Sequence, residues 1–167
     1  MYYFVMEGIS LPNIMEPELI EPLLKALQED RLVSLCTVDF ESGGPNVSAI
    51  SWIYAQNSTT IHLAVDSTSR IIKNVEQNDK VVVTVHANES VYSIHAIAIV
   101  KESQIENVPL RLSLIELSIT AVRDVMFYGA KLKTEPMYEK TYDKNAAQKL
   151  DEQIYAALKS VRNEKKS

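Results

Sequence analysis

Six short segments of this chain have the composition and spacing of β-strands, and they constrain the fold more than any other feature. Turn signals at Glu41–Pro45, Asn57-Ser58 and Asn88–Ser90 separate neighbouring segments at hairpin-like distances. Short strands joined in this way are typical of an antiparallel sheet that closes into a barrel. The predicted strands are 32–38, 47–54, 60–65, 80–87, 91–102 and 112–127.

Three helices are predicted between and after the strands. A first helix over Glu16–Asp30 follows from an apolar stripe at helical spacing, with Pro17 suited to its first turn. A second, over Arg70–Asn78, is preceded by capping side chains at positions 66–69. A third is predicted over Asn145–Arg162, and we expect its apolar stripe to pack against the barrel. The stripe consists of Leu150, Ile154, Leu158 and Val161.

Composition limits the classes of function. The 167 residues suffice for one domain with a sizeable core, and the single cysteine excludes an intrachain disulfide framework and a cysteine-based zinc site. The net charge of −5 argues against a basic surface, so no nucleic-acid partner is expected. The four glycines form neither a dinucleotide-binding fingerprint nor a P-loop. No apolar run approaches the roughly 18 residues that span a bilayer, so no membrane partner is expected.

The metal and nucleophile candidates have simple structural interpretations. His62, His86 and His95 each lie on a predicted strand, and no pair has the i, i+4 spacing of a helical metal motif, so no metal site is expected. Cys36 lies on an apolar strand with no basic neighbour in sequence to activate it, which predicts a small buried side chain. A free cysteine and a start without signal-peptide features predict a cytoplasmic location.

The segment after the third predicted strand has the features of an anion site. The strand ends at Val65, hydroxyl residues follow, and Arg70 lies in the first turn of the predicted helix. Free backbone N–H groups and the positive end of the helix dipole attract anions, most naturally a phosphate group. A capped helix with Arg70 and Lys73 in solvent explains the same residues, and the pattern alone does not decide between the two interpretations.

The same segment resembles the central signature of the pyridoxamine 5′-phosphate oxidase-like split-barrel flavoproteins. The residues that carry the resemblance are Ser69-Arg70-x-x-Lys73-Asn74-Val75-x-x-Asn78-x-Lys80-Val81. Gly44–Trp52 is similar to the second strand of that family and Thr60–Val65 to the third. In element order the resemblance extends from Glu16 to Tyr128. It implies an α+β fold: a six-stranded antiparallel split β-barrel with flanking helices.

The resemblance implies an FMN site whose residues follow by position. The backbone of Ser48, Ala49, Ile50 and Ser51 runs along the flavin ring in such sites. Val65, Asp66 and Ser67 approach the ribityl chain. The phosphate is held by Ser69 and Arg70, with Lys73 one turn further along as a weaker contributor.

Domain limits and a partner also follow from the resemblance. We expect an N-terminal extension at 1–15, the FMN-binding split-barrel domain at 16–128 and a C-terminal helical extension at 129–167. Members of the family bind FMN at a homodimer interface, which predicts a homodimer here. The apolar start Met1–Met6 and the stripe of the third helix both favour a partner surface.

Three departures from the family pattern bear on activity. Ile71 follows Arg70 where many members have a second basic residue, so a weaker phosphate clamp is expected. Ala96 stands in place of the usual glycine of the fifth strand. The C-terminal Arg-Leu-x-Pro pattern that true pyridoxamine phosphate oxidases use on their substrate is missing, and Lys133–Met137 does not supply it. Vitamin B6 oxidation is therefore not expected.

The resemblance thus predicts an FMN-binding oxidoreductase that acts on a small molecule. No catalytic acid or base is named, because the flavin ring carries this chemistry while the protein supplies orientation and electrostatics. Three further functions are compatible with the same residues: a non-catalytic flavin-binding or stress-related protein, a deazaflavin-using reductase, and a heme-binding split barrel. The last requires His62, His86 or His95 as an iron ligand.

Overall fold

A computed structural model of the protein describes residues 14–161, which form eight β-strands and three α-helices. In chain order the elements are β1 (Met15–Glu16), α1 (Glu21–Ala26), β2 (Val33–Val38), β3 (Pro45–Ile50), β4 (Ile53–Asn57), β5 (Thr60–Asp66), α2 (Arg70–Gln77), β6 (Lys80–Ala87), β7 (Ser90–Glu102), β8 (Leu112–Asp124) and α3 (Lys144–Ser160).

The strands form one antiparallel sheet in the order β3-β2-β6-β7-β8-β5-β4, and the short β1 pairs with β8. Only Ser51 and Trp52 join β3 to β4, the two end strands of that order. The ends of the sheet therefore come together at this link without pairing to each other. This arrangement confirms the predicted α+β split barrel.

Two apolar cores stabilise the sheet on opposite sides of β5. The main core fills the barrel, and it includes Leu23 of α1, the C-cap residue Leu27 after α1, and Ile71 and Val75 of α2. The second core lies between β5, β8 and α3, where Ile154 and Leu158 are fully buried. Alternate residues of β5 therefore face each core, because successive side chains of a strand point to opposite faces. The predicted packing of the α3 stripe against the barrel is confirmed.

The first helix is much shorter than predicted. It runs over Glu21–Ala26 instead of Glu16–Asp30, and Glu16 belongs to β1. Pro22 occupies the first turn of the observed helix. A proline inside a longer helix would remove a hydrogen bond and clash with the carbonyl four residues earlier, so the helix begins next to Pro22. The predicted extension of this helix on both sides is wrong.

The predicted strand 47–54 is interrupted, which raises the strand count above the predicted six. It divides into β3 and β4 at Ser51-Trp52. Val47 is exposed and Ile53 is buried, although an unbroken alternation places both on one face. The break is possible because the carbonyl groups of the link have partners outside a β3–β4 strand: Ala64 N donates to the Trp52 carbonyl at 3.0 Å, and the Tyr155 hydroxyl donates to the Ser51 carbonyl at 2.7 Å.

Some predicted regions lie outside the described residues. These are Met1–Met6, nearly all of the extension at 1–15, and the C-terminal end of the third helix at Arg162 with the tail after it. The division between 16–128 and 129–167 stays a prediction, although α3 packs directly on β4 and β5. Within residues 14–161, none of the helices is long and apolar enough to cross a membrane.

Candidate functional site

A groove of about 340 Å³ lies where β3 ends, β5 ends and α2 begins. This volume lies within the range of small-molecule sites in proteins. Seven of the ten predicted cofactor residues line the groove: Ser48, Ala49, Ile50, Ser51, Val65, Asp66 and Ser69. Residues that are far apart in sequence are thus brought together in one groove.

The wall of the groove consists mainly of small neutral side chains. Ser48, Ala49 and Ser51 place only small side chains beside the peptide groups of the β3 end, and Val65 and Ile71, which belong to the same core, form an apolar floor. A flat aromatic ring system can lie against such a wall and bind through peptide groups and apolar contact. The residues of this end of the groove therefore fit the ring of a flavin.

The start of α2 closes the other end of the groove. Ser69 is the N-cap, and its hydroxyl accepts a hydrogen bond from Ile71 N at 3.2 Å. Asp66 accepts hydrogen bonds from the Thr68 hydroxyl at 2.6 Å and from the Thr68 amide at 2.7 Å, and these bonds hold the pKa of Asp66 below its ordinary value. Asp66 is therefore a carboxylate at neutral pH, able to accept hydrogen bonds from hydroxyl groups of a ligand.

Ser67 does not contribute its hydroxyl to the groove. That hydroxyl donates to the Ser103 carbonyl at 3.2 Å and accepts from the Ser113 hydroxyl at 3.0 Å. Lys73 is exposed on α2, with its ammonium 5.2 Å from the centre of the Phe40 ring, and it does not line the groove. Of the predicted residues, these two and Arg70 lie outside the groove wall.

Arg70 is held by the β2–β3 hairpin. Its Nε and Nη2 donate to the Asp39 carboxylate, and Nη2 also donates to Glu41 Oε2 at 2.6 Å. The guanidinium lies 4.5 Å from the centre of the Phe40 ring, a cation–π arrangement. Hydrogen bonding from Arg70 is the main cause that holds the pKa of Asp39 far below its ordinary value, and the two carboxylates raise the pKa of Arg70.

The hairpin is itself fixed to α2 by a buried amide. Asn74 is fully buried; its Oδ1 accepts from the Phe40 amide at 2.9 Å and its Nδ2 donates to the Thr37 hydroxyl at 2.9 Å. Asp39 is further fixed by Ser42, whose amide and hydroxyl both donate to it at 2.9 Å. Arg70 is therefore oriented by a loop that hydrogen bonds connect to α2, the helix that carries Arg70 itself.

Arg70 keeps part of its hydrogen-bonding capacity. A guanidinium has five N–H groups. Within residues 14–161, neither Nη1 of Arg70 nor the backbone N–H of Arg70 has an acceptor. These groups and the Ser69 hydroxyl can hold a phosphate at the start of α2. A bidentate contact that uses Nη2 must displace Glu41. Ile71 is buried with 4% exposure, so the position where many members have a second base serves the core here.

Sequence reasoning missed Trp52, Ala64 and Ile71 as groove residues. Trp52 directly follows the predicted ring-contacting segment, and this adjacency was the one available signal. Asp39 and Glu41 were also missed as partners of Arg70. Nothing in the sequence indicates that pairing, because it depends on how the hairpin folds over α2.

The structure indicates a structural role for His62 and no particular role for the other histidines. His62 is fully buried, and both ring nitrogens are engaged at 2.9 Å, Nδ1 with the Leu158 carbonyl and Nε2 with Glu116. His95 Nε2 lies 3.1 Å from the Ser93 hydroxyl. In the described part of the chain, no group of three His, Cys, Asp or Glu side chains could hold a metal ion.

Cys36 corrects one expectation. It is half-buried on the outer face of β2 and lines a second groove, whereas its neighbours Val33 and Leu35 are buried. The prediction of a buried cysteine is wrong because the strand alternates, and the buried face is occupied by the odd-numbered residues.

Comparisons with known proteins identify the family and the fold. A family model described as pyridoxamine 5′-phosphate oxidase matches residues 19–126, more than half of the chain. Among curated proteins, none matches the chain.

Solved structures share the fold at low sequence identity. One is a Lactobacillus delbrueckii protein provisionally described as a pyridoxamine 5′-phosphate oxidase: it is 18% identical, the match covers 67% of this chain and 98% of that one, and the TM-score is 0.57. HupZ of Group A Streptococcus is 16% identical over 68% of this chain and 98% of its own, with a TM-score of 0.54. At these identities the likeness establishes the fold alone.

Proposed function

The chain belongs to the pyridoxamine 5′-phosphate oxidase family, and on that premise we propose that it binds FMN in the groove between β3, β5 and α2 and acts as an oxidoreductase on a small molecule. The observation that carries the proposal is the convergence of Ser48–Ser51, Val65-Asp66 and Ser69 on this one groove. The cytoplasm is the proposed location, favoured by the free cysteine Cys36.

The chain supplies binding and orientation in this proposal. The peptide groups of Ser48–Ser51 and the apolar floor orient the ring, Asp66 accepts hydrogen bonds from ribityl hydroxyls, and Ser69 and Arg70 hold the phosphate. Bound FMN supplies hydride and electron transfer. We do not include pyridoxamine phosphate oxidation, because the segment at 133–137 lacks the substrate-binding pattern and its Met137 is 93% exposed.

The partner in this proposal is a second copy of the chain. The candidate groove is open along the exposed Ala49, and Val47 beside it is 63% exposed. A second, largely apolar groove of about 570 Å³ crosses the outer face of β2, β6 and β7. Exposed apolar surface of this kind marks interfaces, and a second copy that covers Val47 and Ala49 would also cover the open side of the candidate groove.

We expect a symmetric dimer that buries well over roughly 2,000 Å², the size of obligate interfaces. Light scattering at micromolar concentration should give twice the 18.8 kDa mass of one chain. Val47→Glu should shift the equilibrium toward monomer, because it places a charge on the proposed interface. Gln153→Glu, which also adds one negative charge but lies at an exposed polar position of α3, is the matched control and should leave the mass unchanged. A monomeric wild-type protein contradicts this part of the proposal.

Titration with FMN tests the cofactor. Trp52 is the only tryptophan of the chain and it lines the groove, so bound FMN should quench its emission by energy transfer. Flavin fluorescence should change in parallel, and it should still change in Trp52→Phe, where the tryptophan signal is lost. Turnover with a nicotinamide donor distinguishes an oxidoreductase from a non-catalytic flavin carrier.

Titration with a deazaflavin and with hemin distinguishes an FMN protein from a deazaflavin-using reductase and from a heme-binding split barrel. If a deazaflavin quenches the emission of Trp52 and FMN does not, the result supports a deazaflavin-using reductase. Hemin that gives a Soret band with the protein supports the heme-binding split barrel. His62 can serve as an iron ligand only if it gives up a bond to Leu158 or Glu116, so a heme ligand is better sought in His86 or His95. The FMN proposal is overturned if FMN does not saturate the protein, whichever of the other ligands binds.

A further inference from the structure

The link Ser51-Trp52 is contacted by α3 from outside the candidate groove. The Tyr155 hydroxyl donates to the Ser51 carbonyl at 2.7 Å, and Trp52 Nε1 donates to Asp151 Oδ1 at 2.8 Å. Ser51 and Trp52 line the candidate groove, whereas Asp151 and Tyr155 line a different one between α3, the turn at 28–30 and the segment at 138–144. The two α3 residues therefore reach the groove only through the link.

The link depends on these contacts because it lies outside the β-ladders. Ser51 and Trp52 are half-buried, and within residues 14–161 the Ser51 carbonyl has Tyr155 as its only donor outside a ladder. The indole N–H of Trp52 likewise has Asp151 as its acceptor. Without the contacts to Tyr155 and Asp151, one backbone hydrogen bond holds the link, from Ala64 N to the Trp52 carbonyl.

Asp151 and Tyr155 are themselves held in place. Asp151 also accepts a hydrogen bond from Lys140 Nζ at 2.8 Å, and the Lys140 ammonium lies 5.7 Å from the centre of the Trp52 ring. Burial raises the pKa of Tyr155, with the nearby Asp30 carboxylate adding to the effect, so its hydroxyl keeps its proton and remains a donor at ordinary pH. These contacts fix the side chains that meet the link.

Helix α3, which carries Asp151 and Tyr155, is anchored to the barrel. Ile154 and Leu158 are fully buried in the second core, and the Leu158 carbonyl is bonded to His62 Nδ1. Gln56 Nε2 donates to the Lys159 carbonyl at 3.3 Å. Consequently α3 gives the link a rigid support that is built on β4 and β5.

We propose that Asp151 and Tyr155 are positioning residues of the cofactor site: by holding Ser51 and Trp52 from behind, they set the position of the link, whose two residues form one wall of the groove. This inference rests on the proposed function, because its ligand is FMN. It assigns α3 a part in cofactor binding although none of its residues contacts the groove. A helix that only packs on the barrel would stabilise the fold without tuning the affinity for FMN.

The test compares FMN dissociation constants, measured by Trp52 and flavin fluorescence, with thermal stability. Tyr155→Phe keeps the ring and removes the hydrogen bond to the Ser51 carbonyl, together with the longer contact of the same hydroxyl to Asp30 Oδ1 at 3.3 Å. It should raise the Kd of FMN about three- to tenfold. Asp151→Ala should raise the Kd similarly and shift the Trp52 emission. The matched control is Ile154→Val, which loosens the core under the same helix without touching the link: it should lower Tm but leave the Kd unchanged.

Each outcome decides something specific. If the wild type does not bind FMN, the proposed function and this inference both fail. If the wild type binds FMN and Tyr155→Phe binds it equally well, this inference alone is overturned. It is also overturned if Ile154→Val weakens FMN binding as much as Tyr155→Phe does. If Asp151→Ala fails to fold, the Tyr155→Phe variant still decides the question. Visible circular dichroism of bound flavin provides a second measurement for this variant, because it reports the geometry of the flavin independently of protein stability.

Discussion

Replacing Ile154 by alanine should lower the free energy of unfolding by about 2–4 kcal/mol. The side chain of Ile154 is fully buried in the second core, where it packs with Leu114, Leu158 and Ala64. Truncation removes buried methyl and methylene groups and leaves a cavity that close-packed neighbours fill only in part. Urea unfolding followed by Trp52 fluorescence measures the change, because Trp52 contacts the same helix through Asp151.

The matched control is an exposed residue of the same helix. Lys149→Ala should change the free energy of unfolding by no more than about 0.5 kcal/mol, because the side chain contacts solvent and alanine is a good helix former. The urea m-value should stay constant in both variants if unfolding remains cooperative. A wild-type stability for Ile154→Ala would mean that α3 is not docked on β4 and β5, and the positioning role of Asp151 and Tyr155 would fall with it.

Local sequence patterns were sufficient to predict those elements whose packing follows from their own periodicity. Strand β6 begins and ends where alternation predicts, at Lys80 and Ala87, because every second residue faces the barrel core. Helix α2 begins after its predicted cap Ser69, since a hydroxyl that accepts from a nearby amide is a local interaction. The packing of α3 follows from its stripe for the same reason.

Features that depend on distant partners could not be predicted in this way. The break at Ser51-Trp52 is permitted by acceptors and donors on β5 and α3, up to about a hundred residues away, and the local alternation continues across it. The pairing of Arg70 with Asp39 and Glu41 requires the β2–β3 hairpin to fold over α2. The sequence pattern alone placed Arg70 in either a phosphate site or solvent, and the structure gives it a third environment.

Replacing Arg70 by alanine should weaken FMN binding about tenfold to a hundredfold, since a charge-assisted hydrogen bond contributes roughly 1.5–3 kcal/mol. Arg70 can offer Nη1 to the phosphate while Asp39 and Glu41 hold its other nitrogens. Competition from these carboxylates places the expected loss nearer tenfold. For the same reason Glu41→Gln should strengthen FMN binding, because it replaces an ion pair of Nη2 by a weaker hydrogen bond to a neutral amide and removes a negative charge near the phosphate.

Riboflavin separates recognition of the phosphate from damage to the fold. Arg70→Ala leaves Asp39, whose side chain is only 12% exposed, without its main partner, so the variant will lose some stability for reasons unrelated to any ligand. Riboflavin lacks the phosphate and should bind the wild type and Arg70→Ala equally well, which closes a thermodynamic cycle on the phosphate contact. Lys73→Ala should have a smaller effect than Arg70→Ala, because Lys73 is exposed and lies outside the groove.

If FMN and riboflavin lose affinity equally in Arg70→Ala, Arg70 acts on the hairpin. If neither loses affinity, the salt bridge to Asp39 and Glu41 is its whole function, and the phosphate must be held elsewhere.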